Sequence, residues 1–155
     1  MDFIDTLKLK DKSFLELGCG TAMIAVLAAK KGAIVTASDL HLKAVENAQL
    51  NAAKNQVNLK ILHSDLFENI QEKTFDFICI NPPYYPKNPR ETAEAAWFCG
   101  SEYQYFKKLF AQLPGRFHTQ TKVFMILSED CDIHHIQLLA KKEYIIFEKI
   151  VERKN

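Results

Sequence analysis

The chain has 155 residues, a length that suits one domain, 1–155, around a single core. Its 48% hydrophobic and 25% charged residues are ordinary globular composition, and 20 basic against 19 acidic residues leave a net charge of +1. That balance gives no electrostatic footprint for a long nucleic-acid surface, although a small local basic patch stays open.

No apolar run approaches the ~20 residues that cross a membrane. The start, Met1 to Lys8, lacks the basic and apolar stretches of a signal peptide. Cys19, Cys79, Cys99 and Cys131 include no CxxC pair, and no cysteine or histidine spacing suits zinc. A cytoplasmic protein with buried free thiols and no metal site is expected.

Strand and helix alternate along the chain. Residues 13–17 (SFLEL) read as a strand that stops at Gly18. Residues 21–31, rich in Ala and Leu, read as a helix stopped by Gly32. A β-branched strand over 33–38 ends at Asp39. Leu42, Val45, Ala48, Leu50 and Ala52 give a helical period over 41–54. Strands are expected over 58–64 and 75–80, a helix over 102–113, a strand over 122–128, a helix over 131–141 and a last strand over 144–152. This order predicts an α/β fold with a doubly wound, mostly parallel sheet. Ligands of such sheets bind at the carboxyl ends of the strands, where strand order reverses.

The tips of the first four strands carry the informative residues. Gly18 and Gly20 make a turn from strand into helix where a ligand can approach the backbone. A dinucleotide fingerprint would need a glycine where Met23 stands, so the NAD reading fails. Asp39 lies about twenty residues on, where a carboxylate can accept both hydroxyls of a ribose or cap the next helix. Asp65, at the third tip, can accept from an adenine amino group or serve as a turn residue. Asn81-Pro-Pro-Tyr84 ends the fourth strand.

Together these residues resemble class I S-adenosylmethionine-dependent methyltransferases, with a match running from Glu16 to about residue 128. The resemblance implies that Glu16, Gly18 and Gly20 hold the methionine part of S-adenosylmethionine. It places the ribose on Asp39, the adenine on Asp65 and Leu66 against the adenine ring. Ala22 stands where many members carry a third glycine.

Asn81-Pro82-Pro83-Tyr84 resembles the NPPY motif of enzymes that methylate a planar nitrogen. Release-factor glutamine methyltransferases (HemK-like) and many adenine N-methyltransferases are of this type. The lone pair of such a nitrogen is delocalised, which makes it a poor nucleophile. The Asn81 side-chain carbonyl and the Pro82 backbone carbonyl can each accept one of its N–H groups and favour positive charge developing on it. The prolines hold these carbonyls rigidly, and Tyr84 can stack on the flat group. The resemblance also implies that Asn81 borders the cofactor.

Residues 85–100 read as a substrate-facing loop packed down by Trp97 and Phe98, with Lys87 and Arg90 its basic groups. Its A-W-x-x-G pattern resembles the release-factor type, which makes a protein glutamine side chain the favoured substrate. A nucleic-acid adenine stays open as the alternative, as does a non-catalytic cofactor-binding partner. His63, His118, His134 and His135 are expected to pack or to lie on the surface. Residues 128–132 should form a solvated turn and a helix cap.

Family members carry a longer segment before the first strand and close the sheet with a hairpin. Residues 2–10 can supply one short helix, and 144–152 one strand. Six strands are expected, the final antiparallel one missing. The open edge would be blunt or covered by a second chain, so an oligomer or an activator subunit is also open.

Overall fold

A computed structural model describes residues 2–152, so Met1 and residues 153–155 of the expected domain lie outside the described residues. The elements run α1 (Asp2–Asp5), β1 (Ser13–Leu17), α2 (Met23–Lys30), β2 (Ile34–Asp39), α3 (Leu42–Lys54), β3 (Lys60–His63), β4 (Phe77–Ile80), α4 (Gln104–Gln112), β5 (Lys122–Met125) and α5 (Ile133–Lys142). Short 3-10 turns at Thr92–Ala96 and Leu113–Arg116 flank α4. The strands form one parallel sheet in the order β3-β2-β1-β4-β5. The chain winds outward from β1 to β3, returns to the other side of β1 with β4, and winds outward again. The β1–β4 boundary is therefore the reversal point.

Alternation along the strands divides the core between the two faces. Leu15, Leu17, Ile78 and Ile80 meet Phe106, Leu109 and Phe110 of α4 and Ile136 and Leu139 of α5. Phe14, Val35, Ala37, Phe77 and Cys79 meet Ile4, Ala25, Ala28 and Ala48 of α1 to α3. Phe14 and Phe77, paired in register, have ring centroids 6.4 Å apart, and Phe124 continues the row at 6.3 Å. Phe3 of α1 meets Phe124 edge-on at 4.8 Å. Each fully enclosed side chain of this size contributes roughly 1.5–3 kcal/mol. No helix among the described residues is long and apolar enough to cross a membrane.

Three expectations change. Residues 145–152 form no strand, and among the described residues the sheet has five strands rather than six. The period-two pattern of this segment is real, but its inward residues, Ile145 and Phe147, pack on the α4–α5 face. Phe147 meets Phe110 at 5.9 Å, whereas β5 pairs with β4 alone among the described residues. In α3, Val45, Ala48 and Ala52 are buried while Leu42 and Leu50 are exposed, so the apolar stripe is narrower than its spacing suggests.

Residues 64–76, between β3 and β4, carry no helix. Arg116 satisfies three of their carbonyls, donating to Phe67, Ile70 and Glu72 at 3.3, 3.2 and 2.6 Å.

Candidate active site

At the tip of β1 the backbone takes left-handed conformations at Gly18 (φ 68°) and Gly20 (φ 53°). A methyl group on Gly20 would meet nothing within 4 Å, so the loop faces open space there. One on Gly18 would lie 3.6 Å from the Asn81 backbone carbonyl. Leu17 pairs with Ile80 in register, which sets Gly18 beside Asn81 at the reversal point. Ala22 is buried and itself left-handed at φ 56°, so the chain accepts a methyl in a conformation that glycine adopts more readily.

Glu16 is 6% exposed, and its Oε2 accepts the Ala25 N–H at 2.7 Å. Ala22, the residue before α2, has no side chain to cap that helix, so Glu16 does so from the strand beneath. Burial pushes its carboxyl up to about 8; the Ala25 hydrogen bond opposes this shift and the Asp39 charge adds to it. Burial likewise holds the Cys19 and Cys79 thiols up at about 12, which leaves them inert. All four cysteines are free and buried, and the described residues contain no cluster of metal-binding side chains.

Asp39 is 7% exposed and held by backbone on both sides. Its Oδ2 accepts the Gly20 N–H at 2.9 Å and its Oδ1 the His41 N–H at 2.8 Å. The carboxylate thus ties the glycine loop to the start of α3, and each oxygen keeps a second lone pair for a hydroxyl group.

Asp65 is built differently. Its Oδ2 meets Lys108 Nζ at 2.6 Å, and Glu68 takes the same ammonium at 2.7 Å. Leu66 has a left-handed backbone (φ 49°) and lies in the core cluster, so its side chain is committed to packing as well as to any ligand ring. Tyr105 stands one turn before Lys108 on α4. Burial raises its phenol above the ordinary range, and the Asp65 and Asp39 carboxylates add to the shift. Neither Tyr105 nor Lys108 carries a signal in the sequence, because forty residues separate them from Asp65 and only the fold joins them.

At the tip of β4, Asn81 is exposed and Pro82 buried. Among the described residues, neither the Asn81 side-chain amide nor the Pro82 carbonyl has a hydrogen-bond partner. These two acceptors, on consecutive residues at the strand tip, are available to N–H donors. Tyr84 is half-buried against the core, with its ring 4.9 Å from that of Tyr85 and tilted by 59°. Part of the expected flat wall is therefore taken by its neighbour.

The loop beyond is anchored at its base. Cys99 N–H and Sγ donate to the Tyr85 carbonyl at 2.9 and 3.3 Å, and Tyr85 N–H donates to Trp97 O at 3.1 Å. Phe98 packs under the Lys87 ammonium, 4.7 Å from its ring centre. Trp97, expected to pack, is instead 59% exposed. His134 is exposed, and His135 lies against Tyr103 at 4.5 Å. Asp132 caps α5 through the His135 N–H at 2.9 Å, as the acidic turn suggested.

The family model of the methyltransferase small domain matches residues 2–113. A protein of Methanocaldococcus jannaschii named provisionally as a protein N5-glutamine methyltransferase is 43% identical over 88 residues, 56% of this chain and 44% of that one. A ribosomal RNA small subunit methyltransferase C of Haemophilus influenzae is 39% identical over 80 residues, 50% of this chain and 24% of its own length. The matches thus span less than half the length of these relatives. Among solved structures, a methyltransferase from Pyrococcus furiosus superimposes with a TM-score of 0.68 at 24% identity, over 91% of this chain and 68% of that one.

Proposed function

Because this chain belongs to the methyltransferase small domain family, we propose that residues 1–155 form one S-adenosylmethionine-dependent N-methyltransferase domain acting on a planar amide or amino nitrogen. The observation that carries this reading is the pair of unused acceptors at Asn81 and Pro82, set beside the glycine loop by the β1–β4 register.

The residues fit the cofactor. Gly20 faces open space, Asp39 keeps a free lone pair on each oxygen, and Asp65 Oδ1 has no partner among the described residues. In this reading Gly18 and Gly20 border the methionine end, with Glu16 holding α2 behind them. Asp39 takes the ribose hydroxyls, Asp65 the adenine amino group, and Leu66 and Asn81 border the cofactor. S-adenosylmethionine supplies an electrophilic methyl group on a sulfonium. The chain's own work is positioning. Asn81 and Pro82 each accept one N–H of the substrate, which turns its lone pair toward the cofactor side and favours charge developing on the nitrogen. Tyr84 limits the tilt of the flat group.

A protein glutamine side chain, as in a release factor, is the favoured substrate, supported by the 43% identity to the Methanocaldococcus protein. The second reading, an exocyclic amino group of RNA, is supported by the ribosomal RNA relative at 39%. The four buried free thiols support a reducing, cytoplasmic setting.

Calorimetry with S-adenosylmethionine tests the first half of the proposal, and the absence of binding at hundreds of micromolar overturns it. Radiolabel followed from the cofactor's methyl into a mixture of release factors, tRNA and rRNA tests the second. Label in protein supports the glutamine reading; label confined to RNA replaces it.

A further inference from the structure

The two acids proposed to hold the cofactor's adenosine are secured in different ways. Asp39 is fixed by two backbone N–H groups of its own neighbourhood, at 2.9 and 2.8 Å. Asp65 has no backbone donor on its carboxylate among the described residues. Its one hydrogen-bond partner there is Lys108, 43 positions later and on another element. Lys108 is itself shared, reaching Asp65 Oδ2 at 2.6 Å and Glu68 Oε1 at 2.7 Å.

We propose that Lys108 is a positioning residue for adenine recognition: it fixes Oδ2 of Asp65, leaves Oδ1 to accept the purine 6-amino group, and so sets the preference for a 6-amino over a 6-oxo purine. The inference rests on the proposed use of S-adenosylmethionine.

A half-buried carboxylate at the head of a turn has two rotatable bonds, and a hydrogen bond to one oxygen removes most of that freedom before a ligand arrives. With Oδ2 engaged by an ammonium, the oxygen left over is an acceptor only. It welcomes a 6-amino donor and faces a 6-oxo oxygen as one lone pair faces another. Glu68 prevents Lys108 from collapsing wholly onto Asp65, because the ammonium is held between two acceptors. Those same hydrogen bonds, Asp65 first and Glu68 second, raise the Lys108 ammonium above its ordinary range and keep it charged at neutral pH. The placement also ties adenine recognition to α4, the helix that follows the loop beyond Tyr84.

The test compares binding of S-adenosylhomocysteine and its 6-oxo counterpart, S-inosylhomocysteine, by calorimetry. In the wild type the 6-amino compound should bind more tightly. Lys108→Met should weaken it roughly five- to tenfold, the scale of one lost hydrogen bond in place, and leave the 6-oxo compound within about twofold. Lys108→Arg should restore most of the preference, and Glu68→Gln should keep it. Melting temperatures verify that each variant is folded, and Lys108→Gln replaces the methionine variant if that one is not. An unchanged preference in the folded variant, or equal weakening of both compounds, overturns the positioning role. If the wild type binds neither compound, the cofactor reading itself fails, a result distinct from the loss of preference alone.

Discussion

Glu16 should make this protein less stable as pH rises through neutrality. Its carboxyl is 6% exposed, receives one N–H from Ala25, and is pushed by burial from an ordinary value of 4.5 to about 8. The folded state therefore keeps a proton that the unfolded chain gives up above pH 4.5. Stability falls across that interval and levels off once the folded group has also ionised, above about pH 8. At 1.36 kcal/mol per pH unit, the whole interval corresponds to about 5 kcal/mol, of which about 3 is gone by pH 7. That is a large share of the roughly 5–15 kcal/mol that holds a typical domain folded.

Glu16→Gln isolates the effect. Glutamine keeps an oxygen for the Ala25 N–H and, like the protonated acid, adds a donor, so it mimics the neutral form at every pH. Urea denaturation of both proteins at pH 5, 7 and 8.5 reads the difference, while the histidines and the surface carboxylates cancel between them. The variant should exceed the wild type by about 1 kcal/mol at pH 5 and by about 3 kcal/mol at pH 7. A difference that does not change with pH would refute the buried, protonated Glu16 described above.

Three further outcomes are expected. Asn81→Ala should bind S-adenosylhomocysteine within about twofold of the wild type and lose methyl transfer by about a hundredfold or more in single-turnover assays, the scale of one removed transition-state acceptor or donor. Asp39→Ala leaves the Gly20 and His41 N–H groups without their acceptor, so it should cost about 2–4 kcal/mol in urea denaturation and abolish cofactor binding in calorimetry. Trp97→Ala removes a side chain that is mostly in water; stability should stay within about 0.5 kcal/mol while KM for the macromolecular substrate rises and kcat holds.

The strand tips were readable because they join two local signals to one global rule. Glycines after a β-rich run, an acid about twenty residues on and a second acid at the next tip are each common. A parallel sheet with reversal at β1 then forces them together, and the register of Leu17 with Ile80 does so at Gly18 and Asn81. The alternative reading of Asp39 as a plain helix cap also contained part of the answer. Its Oδ1 does serve the N–H of His41, and its Oδ2 serves the glycine loop at the same time.

What stayed hidden depends on partners that no local pattern encodes. Residues 144–152 alternate as a strand does, yet alternation describes only which side chains point inward, and says nothing of which backbone edge lies alongside. Ile145 and Phe147 find their apolar surface at Phe110, and the ladder that would make a strand does not form. The same holds for Lys108 and Arg116. Each looks like an ordinary basic residue in or beside a helix, where solvent exposure is the natural expectation. Residues 64–76 cross between β3 and β4 without a helix to absorb their polar groups, and that creates the need for both: carbonyls of Phe67, Ile70 and Glu72 for the guanidinium, and the carboxylates of Asp65 and Glu68 for the ammonium. A segment that lacks secondary structure of its own draws its donors from the next element in space. In this chain that element is α4 and the turn that ends it, so the helix that packs the core also determines where the third strand's acid points.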